Sequence, residues 1–253
     1  MFNIFKRKKE KKILSADDLK KMIEPYRIKA WIPKVIEEVS DRTSSKFSGT
    51  PVLKENETWP NCAFCSQPMQ LFLQISSSHL PEEANKPFGE GFFQVFYCTN
   101  TYKKCEAECK AFLPFSKSTL IRVLKFEEPL DKNEIISPVR ETFPEKRIIG
   151  WKEKDDYPNW EELEELGCLL SDEQSDVLDE LGYPLSRDKL SGWPCWVQGI
   201  EYPDCPECGK RMDFVFQIDS YDNIPYMFGD AGCSHTFQCK THKDKIAIAW
   251  ACC

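Results

Sequence analysis

Residues 46–75 read KFSGTPVLKENETWPNCAFCSQPMQLFLQI, and residues 189–218 read KLSGWPCWVQGIEYPDCPECGKRMDFVFQI. The two stretches align without a gap, and ten of thirty positions are identical. Lys46, Ser48, Gly49, Pro51, Pro60, Cys62, Cys65, Met69, Gln74 and Ile75 meet Lys189, Ser191, Gly192, Pro194, Pro203, Cys205, Cys208, Met212, Gln217 and Ile218. Identity concentrated in Gly, Pro and Cys points to turns and knuckles laid out twice, the mark of one structural unit used two times. Each copy reads as a Gly-x-Pro turn, a spacer, a Cys-x2-Cys knuckle and an apolar strand ending in Gln-Ile. The expected fold class is α+β: a β-rich duplicated fold of two homologous halves, each with a zinc-knuckle or ribbon-like element. Helices are expected at the N-terminus and between the halves.

Working outward, residues 1–14 form a basic tip in which six Lys and Arg face Glu10 alone. Ser15 is placed to cap a helix with Leu19, Met22 and Ile23 on one face, closed by Pro25. A second helix is expected around Trp31 to Val39. After the first knuckle, strands are expected at Met69–Ile75, Phe92–Cys98 and Thr119–Phe126, and residues 127–150 read as a connection. Asn159 with Glu162, and Ser171 with Gln174, are capping-box patterns stopped by Gly167 and Gly182. The second copy continues through Met212–Ile218, a Gly-Asp-Ala-Gly turn at Gly229–Gly232, His235–Cys239 and Ile246–Cys252. The expected divisions are 15–150 for the N-terminal helices and first repeat, 151–188 for an acidic helical connector, and 189–253 for the second repeat, both repeats packed as one unit.

The thirteen cysteines are an odd number, which fits poorly with a fully disulfide-bonded chain. No apolar stretch follows the basic tip, so a secretory signal is not expected and the address is cytoplasmic. In a reducing compartment, paired Cys-x2-Cys knuckles bind metal. Structural zinc takes four N or S ligands from two knuckles. The second repeat supplies Cys205, Cys208, Cys239 and His242. The first supplies Cys62, Cys65 and Cys98, with the fourth ligand open between Cys105 and Cys109; Cys105 needs the shorter loop. Sets of four protein ligands are closed, so both zinc ions are expected to be structural rather than catalytic.

A net charge of −7 argues against a protein built to grip a phosphate backbone. Residues 151–180 hold twelve acids against Lys152 and Lys154. No apolar run is long enough to span a bilayer. Neither nucleic acid nor a membrane is therefore the expected partner.

The Gly-x-Pro turns, Trp59-Pro60-x-Cys62-x2-Cys65-x3-Met69, the Gln-Ile strand ends and Gly229-Asp230-Ala231-Gly232 resemble the bacterial family typified by YwqG, a domain of unknown function, over roughly residues 15–253. A weaker similarity, resting on the Gly-x-Pro turn and cysteine-flanked strand, is to the programmed-cell-death-2 type proteins. That likeness implies a chaperone-like role, and relatives near toxin and immunity genes imply protein binding.

Other residues are weighed against plain packing. Gln74 and Gln217 are either core amides that fix strand register or equivalent groups lining a cleft between the repeats, with Trp193 and Asp230 nearby. Trp193, Trp196 and Tyr202 form an aromatic cluster beside the second knuckle, read first as core. Cys233 and His235 at i and i+2 do not by spacing alone make a catalytic dyad, and Gly89-Glu90-Gly91 is too short for a phosphate loop. Cys168, Cys195, Cys252 and Cys253 take no assignment. The reading is a non-catalytic zinc-binding interaction module of a chaperone- or immunity-like kind, with the acidic helices and the cleft as surfaces. The alternative is an enzyme or small-molecule binder working in the cleft.

Overall fold

The apolar run before each Gln-Ile becomes a strand, and each strand carries the same irregularity. In the computed structural model, which describes residues 16–252, these are β3 (Gln70–Ser76) and β8 (Asp213–Asp219). β3 shifts register between Leu71 and Leu73, and β8 between Phe214 and Phe216. Each bulge turns two successive side chains, Phe72 and Leu73 or Val215 and Phe216, into one shared core. The residues before the bulge, Leu71 and Phe214, pack on the opposite face instead.

The remaining strands are β1 (Ile28–Ile36), β2 (Lys46–Phe47), β4 (Phe92–Tyr97), β5 (Thr119–Leu124), β6 (Lys146–Asp156), β7 (Lys189–Ser191), β9 (Cys233–Gln238) and β10 (Ile246–Ala251). All ten lie in one antiparallel sheet of order β10-β9-β8-β7-β1-β6-β2-β3-β4-β5. The sheet curls until its two edges nearly meet: Trp250 N donates to Phe112 O (3.2 Å), and the two rings lie 5.9 Å apart. Inside sits a core drawn from both flanks, with Phe72, Tyr97, Phe216, Phe228 and Trp250 among its members.

Among the described residues there are four short α-helices: α1 (Ala16–Ile23), α2 (Cys105–Glu108), α3 (Trp160–Glu165) and α4 (Asp172–Glu180). α1 buries Leu19 and Ile23 against Leu163 and Leu178 of the acidic pair, and Pro25 is the second residue of the turn Glu24–Tyr26 that follows it. Asn159 caps α3 through Glu162 N, and Ser171 and Gln174 form a complete capping box on α4. The basic tip and the Ser15 cap lie outside the described residues. Among the described residues no helix is long and apolar enough to cross a membrane.

Two expectations are corrected. Trp31 to Ile36 is strand, not helix: it belongs to β1, which runs antiparallel to β6 along its whole length. Pro33 lies past the point where β7 pairs with β1, so its missing N–H falls where one side of the strand has no partner. Residues 146–156, read partly as connection and partly as helical connector, form β6. Its polar sequence is matched by cross-strand charge, with Lys29 Nζ 2.5 Å from Glu153 and 2.7 Å from Asp155.

The Ser-Gly-x-Pro turns recur in detail. Ser48 and Gly49 have φ of 59° and 81°, and Ser191 and Gly192 have 58° and 86°. A Cβ on Gly49 would collide with the Glu145 carboxylate, and one on Gly192 with that of Asp156. Each carboxylate pairs with a fully buried lysine: Lys46 Nζ is 3.5 Å from Glu145, and Lys189 Nζ is 2.8 Å from Asp156.

Candidate metal centres

Each cysteine knuckle is a tight turn that presents its sulfurs to one point. Cys62 N donates to Gln67 O and Ser66 N to Cys62 O, with Ser66 at φ 59°. In the second copy Cys205 N donates to Lys210 O and Gly209 N to Cys205 O, with Gly209 at φ 63°. The strand that follows each knuckle pairs with a neighbour whose end carries the third ligand: Cys98 just after β4, Cys239 just after β9. The fourth comes from α2, as Cys105, or from the turn before β10, as His242.

The result is two four-ligand groups, Cys62, Cys65, Cys98 and Cys105, and Cys205, Cys208, Cys239 and His242. Within each, the ligating atoms all lie within 4.8 Å of one another. Cys65 and Cys98 sulfurs are 3.7 Å apart, and those of Cys208 and Cys239 are 3.8 Å apart. His242 Nδ1 lies 3.6 Å from Cys205 Sγ and 3.8 Å from Cys239 Sγ. Four sulfurs set tetrahedrally at ~2.3 Å from one ion stand about 3.8 Å apart, whereas bonded sulfurs lie at about 2.05 Å. The donor sets therefore fit a metal ion, and the described cysteines are free thiols. Cys109, the alternative first-site ligand, sits at the end of α2 outside the group.

The surroundings suit closed sites. Cys62, Cys98 and Cys105 are buried with Met69, Leu71 and Phe96 on the outer face of the sheet, and Cys205 and Cys239 with Met212 and Phe237. Asn100 Nδ2 donates to Cys65 Sγ (3.6 Å), and His242 N to Cys239 Sγ (3.2 Å). The His242 N–H, acting against burial and aided by Thr241, draws the Cys239 thiol down to about 6. Burial pushes Cys105 up to about 12. An ion entering the first group would therefore displace protons held on its thiols. With four protein donors per group, either ion would act as a clamp across a hairpin, leaving no position for a reacting water.

The other residues singled out from sequence are not drawn into one cleft. Gln74 and Gln217 are fully buried and face away from the core that Leu73, Ile75, Phe216 and Ile218 fill. Gln74 Oε1 accepts from Val52 N (2.8 Å), and its Nε2 donates to Arg42 O and Ser44 O. Gln217 Oε1 accepts from Cys195 N (2.8 Å), and its Nε2 donates to Leu185 O and Arg187 O. Each amide thus ties down the loops beside its own strand, and β7, β1, β6 and β2 lie between β8 and β3. Trp193 donates from Nε1 to Tyr26 O (2.9 Å), while Trp196 and Tyr202 pack on Phe237 over the second centre. Asp230 is exposed in its turn.

Burial sets Cys233 and His235 against catalysis. It raises the Cys233 thiol well above its ordinary value and lowers His235 to about 3, with the Lys189 charge adding to the latter. An activated thiolate–imidazolium pair needs both shifts reversed. Sequence reasoning missed the buried pairs Lys46–Glu145 and Lys189–Asp156. Their signal was available in part, since both lysines were among the ten identities.

A family model described as a domain of unknown function (DUF1963) matches residues 45–244. The chain belongs to the DUF1963 family. The DUF1963 span begins just before Lys46 and ends just after His242, so it takes in both ligand groups and both buried lysines. This agrees with the resemblance to YwqG-like proteins. The uncharacterized protein YpfL of Salmonella typhimurium is 42% identical over 45 residues, 18% of this chain and 10% of that protein. The match thus spans about a tenth of that relative's length.

Proposed function

We propose that this DUF1963 chain is a non-catalytic, zinc-stapled module that binds another protein in a reducing, cytoplasmic setting. The observation that carries the reading is the closure of both ligand groups: four converging N or S donors each, largely buried. Zinc is the metal that such sulfur-rich, tetrahedral sets favour, and its role there is structural. Free thiols throughout the described chain support the reducing compartment. The recurrence of bulge, buried lysine, glutamine clamp and knuckle supports an internal duplication, with each half stapled once.

Two features support a protein partner over a reaction. Gln74 and Gln217, which an enzyme reading would need in a cleft, are spent on loop backbone. In addition, Tyr102, Phe64, Leu113, Phe115 and Phe112 are exposed around the first centre, and Leu169, Leu166 and Trp160 beside the acidic helices. Exposed apolar groups gathered near one feature are what interaction surfaces leave on a free chain. The distant likeness to programmed-cell-death-2 type chaperones belongs with this reading.

Native mass spectrometry of the tagged chain, purified from its own host under reducing, chelator-free conditions, tests it. The expected result is two zinc ions and a stoichiometric protein companion. A metal-free chain would overturn the staple, and two ions on a solitary chain would overturn the interaction role.

A further inference from the structure

β5 and β10 are the two edges of the sheet, and among the described residues no strand pairs with the outer side of either. At one end the Phe112–Trp250 contact bridges them. At the other they part around a cavity of about 770 Å³, lined by Phe88, Arg122, Val123, Gln238, Lys243 and Ile246 among others. Sites for small organic ligands run from roughly 300 to 1,000 Å³. The floor is apolar, since Phe88 and Ile246 are buried members of the central core and Val123 packs against it.

Gln238 sits in this wall at 1% exposure. Its Nε2 donates to Lys243 O (2.8 Å) and Phe88 O (3.5 Å). Those two carbonyls fix which end of the amide is nitrogen. Oε1 is left as a buried acceptor with no partner. A buried acceptor without a partner is destabilising, so a ligand bringing an N–H there gains what the free protein lacks.

The rim charges are mostly spent. Arg122 pairs with Glu57 and donates from Nε to Gln94 Oε1 (2.9 Å). Glu90 takes Lys86 (2.5 Å) and Ser77 (3.1 Å), Asp244 takes Lys245 (3.0 Å), and Glu127 lies 3.9 Å from Lys125. Lys243 is exposed, and among the described residues no carboxylate pairs with it. An apolar floor, an orphan acceptor and an uncommitted cation at the mouth define a ligand with three parts.

We propose that the cavity between β5 and β10 binds an N-acyl amino acid with an apolar side chain and a free carboxylate, either as a small molecule or as the last residue of a peptide. The side chain lies on Phe88, Val123 and Ile246. The amide N–H donates to Gln238 Oε1, and the carboxylate meets Lys243. The site adjoins the second metal centre, since Gln238 and Lys243 are the sequence neighbours of Cys239 and His242.

Calorimetric titration of the full chain with N-acetyl-L-phenylalanine, its primary amide, and an octapeptide ending in phenylalanine tests the proposal. Saturable one-to-one binding of the acid is expected, at least about tenfold tighter than the amide, a difference of about 1.4 kcal/mol. Lys243→Glu, on an exposed side chain, should weaken the acid about tenfold with an unchanged melting temperature, and Val123→Trp should fill the cavity and abolish binding. An octapeptide tighter than the acetylated residue identifies a peptide C-terminus as the source; an octapeptide that fails beside a binding acid identifies a free small molecule. No saturable binding of acid or octapeptide, equal binding of the amide, or binding that Lys243→Glu leaves unchanged overturns the proposal.

Discussion

Lys189 has no exposed surface, and its ammonium is held by Asp156 Oδ2 at 2.8 Å and by Leu185 O. Asp156 also accepts from Leu185 N (2.8 Å) and Trp193 N (2.9 Å), so one carboxylate fixes the chain on both sides of β7. Removing it strands a buried cation, which costs more than the pair itself contributes. Asp156→Ala should therefore lose about 3–5 kcal/mol in urea unfolding. Adding Lys189→Met should recover a good part of that loss. The pair Lys46–Glu145 is longer at 3.5 Å, and burial lowers the Lys46 pKa despite Glu145. His235 gives a second residue-scale test. Burial, with the Lys189 charge, lowers its pKa to about 3 from the ordinary 6.5. Its contribution to stability is thus present above pH 6.5 and lost as pH falls toward 3, by up to about 1.4 kcal/mol per pH unit. Trp196, Phe214 and Phe237 surround the ring, so His235→Phe should fit and should flatten the stability–pH slope in that window. An unchanged slope would mean the ring is not held neutral.

At the scale of elements, a hairpin with a four-ligand group at its end occurs twice: β3–β4 with Cys62, Cys65, Cys98 and Cys105, and β8–β9 with Cys205, Cys208, Cys239 and His242. Cys98→Ser and Cys105→Ser should each leave one ion per chain after desalting, while Cys109→Ser should leave two. Loss of an ion from Cys109→Ser would move the fourth ligand. These hairpins were legible in the sequence because their information is local. Knuckle spacing, the glycine and proline turns and a short apolar run all lie within thirty residues of one another. β1 and β6 were not legible because each is explained by the other across more than a hundred residues. Lys29, Glu153 and Asp155 look like loop charges until the strands pair. Pro33 alone could have argued against a helix at Trp31, since a proline there removes an N–H and crowds the preceding turn. β2 and β7 have two and three residues, too few to show any period. The glutamine clamps had a sequence signal, the repeated Gln-Ile, but its meaning depended on loops that the fold brings over the strand.

For the whole molecule the question is whether the two flanks of the sheet, each with its own ligand group, behave as one body. Phe47 of one flank lies 6.3 Å from Phe216 of the other, and Phe72 packs on Tyr226 (5.1 Å) and Phe228 (6.1 Å) from beyond β8. Glu106, next to the ligand Cys105, accepts from Tyr97 (3.0 Å) and from Tyr226, while Trp250 Nε1 donates to Tyr97 Oη (2.9 Å). The first centre is thereby joined by hydrogen bonds to the loop after β8 and to the last strand. A clamp lost on one side should weaken contacts that both sides share. Structural zinc contributes on the order of 10 kcal/mol in isolated fingers, and a chain of this size loses about 2–4 °C per kcal/mol. Cys105→Ser and Cys205→Ser should each lower the melting midpoint by roughly 10 °C or more. Each should still melt in a single transition, with near-UV and far-UV signals lost together. Two separated transitions in either variant would mean that the flanks fold as independent units and that the common core adds little coupling between them.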